Sequence, residues 1–252
     1  MPQVLISGLR TEVFMTTFKN SKMLKADARA SLLGHLTTPV LSILLYLFAT
    51  SMLTEMIANW GSGSVLLSLI LSVVVFFVVN TVANMLRIGL ACIFLRLQLQ
   101  KSVLIGDLFY AFRNNSDTSV MYSAFLAMLE LLCMLPAIIA VSVLSPQGRT
   151  AYAALLLILF AAGLAGSFYA RLRYALCPYL FLDFPSLSAR ALIKGGARML
   201  DGHKGRLFKL YLSFLPLHIL TVLSLGVAGL WVSSYSHAAE AAFYRDFTLH
   251  LS

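Results

Sequence analysis

Long stretches free of Lys, Arg, Asp and Glu alternate along this chain with short charged segments. A bilayer core about 30 Å thick needs roughly 20 apolar residues in one helix, so each uncharged stretch is a candidate span. No charge occurs between Arg29 and Glu55. This places a first span at about 38–58, with Pro39 in its opening turn, where proline is tolerated. Asn59-Trp60-Gly61-Ser62-Gly63 forms a short turn with Trp60 at headgroup level. A second span covers about 64–86 and stops at Arg87. From Thr118 to Gly148 the only charge is Glu130, which gives a third span at about 118–145. Pro136 is expected to kink it, because proline removes a backbone donor. A turn at Ser145-Pro146-Gln147-Gly148-Arg149 leads to a fourth span at about 150–170. From Leu210 to Ala239 there is again no charge, and Leu225-Gly226 is the break. That predicts a fifth span at about 206–224 and a sixth at about 227–247. The sixth carries Ser233, Ser234, Ser236, His237 and Glu240, so a re-entrant or interfacial segment competes there, leaving five spans.

The polar segments have patterns of their own. In residues 1–37, Leu5, Leu9, Val13 and Phe14 are spaced for one apolar helix face, and Lys22, Lys25 and Arg29 share another. These predict cytoplasmic interfacial helices ahead of a single transmembrane domain over 38–252. Residues 88–112 mix Ile, Leu and Phe with Arg96, Lys101 and Asp107. They suit a helix that continues from the second span and then lies along the interface. Over 184–204, Asp183 is expected to cap a helix with Pro185 in its first turn. Arg190, Lys194 and Arg198 recur every four residues and form one stripe, with Leu187, Ala191 and Leu192 on another face. Such a stripe can hold anionic lipid headgroups at about 1 kcal/mol per cation. The same cations would also arise from the tendency of Lys and Arg to stay on the cytoplasmic side.

Composition supports a chain dissolved in lipid. Of 252 residues, 60% are hydrophobic and 12% charged, and the mean hydropathy is +0.86. Soluble domains carry about 25% charged residues, so an ordinary soluble globule is excluded. Disorder, which needs low hydrophobicity and high charge, is excluded too. The net charge of +9 would suggest nucleic acid in a soluble protein. Here the cations lie between apolar runs, so membrane lipid is the expected partner and nucleic acid is not. Five Lys or Arg residues precede the first span, four lie between the second and third, and eight between the fourth and fifth. With Arg245 they leave only Arg149 on the other side, which puts both termini in the cytoplasm. No cleavable signal peptide is expected at the N-terminus. Cys92, Cys133 and Cys177 form no metal or disulfide spacing and are expected as small buried hydrophobes. No metal and no cofactor is expected.

Ionisable groups at membrane depth are costly and are functional candidates. Glu130, His218, His237 and Glu240 are the candidates here, and His237 and Glu240 are three apart on one helix face. Together they could form a polar centre that relays protons or binds a polar ligand. They could equally be interhelical hydrogen bonds that hold the bundle. Enzyme motifs are sparse: there is no HExxH and no GxSxG. A serine–histidine dyad is conceivable from Ser213, Ser233, Ser234 and Ser236 beside His218 or His237. Ala162 with Gly166, and Gly163 with Ser167, are small-residue pairs suited to close helix approach, within the monomer or in a homo-oligomer.

The last third carries longer strings: Asp183-Phe184-Pro185, Gly202-His203-Lys204-Gly205-Arg206-Leu207-Phe208-Lys209-Leu210, Ser213-Phe214, Leu225 to Trp231, Tyr235, and Ala242-Phe243-Tyr244. With Lys25 to Gly34 and Asp107-Leu108-Phe109, they resemble the bacterial integral membrane family labelled domain of unknown function 975. Pro216, Leu217, Ser234 and Gly195 depart from its pattern. The resemblance implies a helical fold in a bacterial cytoplasmic (inner) membrane and brings no activity with it. The expected function is non-enzymatic: binding a lipid or peptide, or assisting a membrane-protein partner. The alternatives are a small transporter or channel subunit with a buried Glu/His path and, after it, an intramembrane hydrolase.

Overall fold

The computed structural model describes residues 18–58, 65–143 and 149–250, and every regular element among them is helical. In chain order these are α1 (Ser21–Leu32), α2 (Thr37–Ala58), α3 (Val65–Gln98), a 3-10 turn (Ile105–Phe109), α4 (Tyr110–Arg113), α5 (Ser116–Val143), α6 (Arg149–Arg173), α7 (Cys177–Asp183), α8 (Ala189–Met199), α9 (Lys204–Leu212), α10 (Leu215–Leu223) and α11 (Gly229–Leu249). The expected interfacial residues Leu5, Leu9, Val13 and Phe14, and the expected turns at 59–63 and 145–148, lie outside the described residues.

Four stretches are long and apolar enough to cross a membrane: Leu69–Gln98, Ser116–Val141, Tyr152–Asp183 and Lys204–Leu223. Ser21–Leu32 and Thr37–Met52 make a fifth only if this pair, bent by 101°, counts as one. A helix does form where the sixth span is expected, but α11 does not join this set. It carries the polar residues noted above together with Arg245 and Asp246. Ala238, Ala239, Ala241, Ala242, Phe243, Tyr244, Asp246 and Phe247 are all buried in it. A helix screened by its neighbours has no need of an apolar surface.

α3 continues past Arg87 to Gln98 as one helix of 34 residues, and α5 runs through Pro136 without a break. The expected fifth span is present as Lys204–Leu223, built of two successive helices. Lys209 and Leu210 carbonyls accept from Ser213, α9 ends there, and Pro216 opens α10. Proline is suited to a first turn and cannot extend the helix before it. The turn at Leu225-Gly226 is present, with φ of 52° and 91°.

Burial is uneven. The second half of α3, from Met85 to Gln98, packs with α7, α8, α9 and the end of α11 into a dense core. The far halves of α2, α3, α5, α6 and α10 expose Leu47, Phe48, Leu66, Leu157, Ile158, Val222 and Leu223. An apolar surface of that extent calls for lipid or another protein. Close backbone approaches fix the core. A Cβ on Gly89 would stand 1.8 Å from the Leu108 carbonyl oxygen, and one on Gly196 2.2 Å from Cys177 Sγ. Gly163 and Gly166 press on Cys133 of α5, so these small residues serve packing within the chain. The three cysteines are free thiols, with Cys92 and Cys177 buried and Cys133 half-buried.

Candidate functional site

α3, α5, α6, α7, α9 and α11 converge on a polar cavity of about 70 Å³. The spacing of three and four along α3 aligns Asn84, Arg87 and Ala91 on one face. Tyr122 and Leu126 of α5 do the same from the opposite side, and Tyr122 donates to the Tyr174 carbonyl at 3.3 Å. α11 contributes His237 and Glu240, whose Nδ1 and Oε2 are 3.7 Å apart. His237 stacks on Phe94, and Tyr211 lines the same cavity as Glu240. Arg171 also lines the cavity and donates through Nε to Glu130 at 2.7 Å. Glu130 is 2% exposed, whereas the Arg171 side chain is 42% exposed and reaches the surface. Arg87, half-buried, makes no ion pair among the described residues, although Glu130 and Glu240 both act on it electrostatically.

Three of the four expected polar residues therefore meet here: His237 and Glu240 in the lining, and Glu130 behind Arg171. His218 does not. It lies on the exposed side of α10 and lines none of this cavity. Ser213, Ser234 and Ser236 donate to carbonyls of Leu210, Leu230 and Ser233, one turn back in their own helices, as serines do in helix interiors. Arg87 and Arg171, counted in the sequence as cytoplasmic cations, are the residues that complete the site. Among the described residues no group of His, Cys, Asp and Glu is arranged to hold a metal ion.

α8 is a second feature. Its N-cap is Ser188, which accepts from the Ala191 amide, and not Asp183. Asp183 ends α7 and accepts instead from the Tyr244 hydroxyl. Leu192, Gly196 and Ala197 bury one face of α8. Arg190, Lys194 and Arg198 are all exposed on the other and make no ion pair with described residues. At the corner between α8 and α9, Gly202 has φ +84°. There Lys204 forms an ion pair with Asp201 at 2.8 Å and holds its carboxyl below the usual range.

A third cluster was not expected from the pattern. Asp246, 3% exposed, accepts from Arg206 at 2.6 Å and from the Lys19 backbone N–H at 3.2 Å. The Arg206 guanidinium lies 4.4 Å from the Phe18 ring centre and 4.9 Å from that of Phe243. This cluster ties α9, α11 and the entry to α1 together. Lys25 adds a bond to the Ser213 carbonyl at the end of α9, where a cation also complements the helix dipole.

Long apolar helices, a buried carboxylate paired with an arginine and a core confined to one half define an all-helical protein with helices fit to cross a membrane. The chain belongs to the family described as protein of unknown function (DUF975), whose model matches residues 15–250. Several strings that carried the resemblance meet in the fold, with Asp183 on Tyr244 and Arg206 beside Phe243. No curated protein and no solved structure matches the chain.

Proposed function

We propose that this is a multi-pass protein of a bacterial cytoplasmic membrane that binds anionic lipid headgroups through α8 and performs no reaction of its own. One observation carries this: α8 is docked by its small and apolar face, and it presents Arg190, Lys194 and Arg198 outward with no ion-pair partner among the described residues. Three such cations near an anionic surface contribute about 3 kcal/mol, roughly a hundredfold in affinity. In this reading α2, α3, α5, α6 with α7, α9 with α10, and α11 cross in alternation. Both ends then lie on the cytoplasmic side with eighteen of the nineteen Lys and Arg residues.

The test is lipid retained on the full-length protein after mild detergent extraction, measured by native mass spectrometry. Wild type is expected to keep phosphatidylglycerol or cardiolipin over phosphatidylcholine. Reversal of all three cations (R190E, K194E, R198E) is expected to abolish that preference. Retention unchanged by the reversal removes the proposal.

A further inference from the structure

The geometry points to a second binding site, independent of α8: the cavity beside Asn84 and Arg87 takes a single phosphate-class oxyanion. Asn84 is 2% exposed, lines this cavity, and its Nδ2 has no hydrogen-bond partner among the described residues. A buried donor left unsatisfied is costly and is normally explained by something that it binds. One turn along the same face stands Arg87, a guanidinium without an ion pair among the described residues. Both present donors to the cavity. The carboxylate in the lining, Glu240, faces His237 at 3.7 Å. Arg171 is paired with Glu130, so Arg87 is the guanidinium left to a ligand.

An acceptor-rich, negatively charged ligand fits this set, and a guanidinium fork matches the oxygens of phosphate. Size agrees. At about 10–15 Å³ per water-sized probe, a cavity of about 70 Å³ holds about five to seven such volumes, room for the heavy atoms of one phosphate group. The exposed Arg171 marks the mouth, through which either a free anion or the phosphate of a lipid can enter.

The experiment titrates purified full-length protein with inorganic phosphate and, separately, with dihexanoyl phosphatidic acid, reading heat of binding and melting temperature. Dihexanoyl phosphatidylcholine is the control. Wild type is expected to bind one equivalent of at least one of the first two probes. Binding of inorganic phosphate identifies a free anion as the ligand, and binding of phosphatidic acid alone identifies a headgroup. R87Q is expected to weaken binding at least tenfold, and N84A several-fold, while the triple α8 reversal leaves it unchanged. If R87Q does not fold, N84A, which removes only an unpartnered amide, carries the test. Absence of binding by wild type, binding unchanged in both single variants, or binding lost only with the α8 cations overturns the inference.

Discussion

Glu130, at 2% exposure, is compatible with a stable fold because Arg171 meets it at 2.7 Å. Breaking a fully buried pair costs about 3–5 kcal/mol. Arg171 is 42% exposed, however, and can rehydrate when its partner goes, so the loss is smaller. Glu130→Gln is expected to lower stability by about 1–2 kcal/mol while the protein stays folded, as read by melting in detergent. Asp246 is more demanding, because its partners are Arg206 and the Lys19 backbone. Arg206→Ala is expected to cost about 3 kcal/mol, with Asp246→Asn milder; equal melting of R206A and wild type would contradict this. Asn84→Ala should be neutral or stabilising by about 1 kcal/mol without ligand, since it deletes an unsatisfied donor. At this scale the sequence was partly legible. Uncharged flanks single out Glu130, and spacing pairs His237 with Glu240. Arg87 and Arg171 were hidden, because a cation at a span's end and one turned into a cavity have the same neighbours in sequence. The outward face of His218 was hidden for a similar reason: α10 is apolar all round, and no periodicity marks which side is covered.

Elements were more legible than their joints. The basic stripe on α8, the continuation of α3 beyond Arg87 and the break at Leu225-Gly226 follow from spacing and charge. The cap of α8 did not, since both Asp183 and Ser188 can serve and only packing assigns Asp183 to Tyr244. The split between α9 and α10 could be read from Pro216 alone, but the absence of charge across Leu210 to Ala239 masked it. α8 rests on glycine: a Cβ at position 196 meets Cys177 Sγ at 2.2 Å, far inside contact. Gly196→Ala is therefore expected to lift α8 from α7. The measurement is limited trypsin digestion, with cleavage at Arg190, Lys194 and Arg198 rising about tenfold in the variant while cleavage elsewhere stays constant.

Among the described residues, the contrast at the scale of the whole molecule is between a core-rich half and a half with an exposed apolar outer surface. Hydropathy finds spans by what they expose, so α11, wrapped by α1, α2 and α3, gives a weak signal although it is among the best-buried helices. If the proposed topology holds, protease added to inverted vesicles should cut at many Lys and Arg sites, and protease added to right-side-out vesicles should leave the chain nearly intact. Comparable cutting from both faces would rule the arrangement out.

The anchoring of α1 has a consequence for how the protein is made. Its partners near the C-terminus are Asp246, Arg206, Tyr235 and the Ser213 carbonyl, all at least 187 positions further along the chain. A ribosome releases α1 long before it has polymerised any of them. Until translation is nearly complete, this basic segment has only its contact with α3, where Gln98 donates to Ser31, and the fold closes only when its last described helix meets its first.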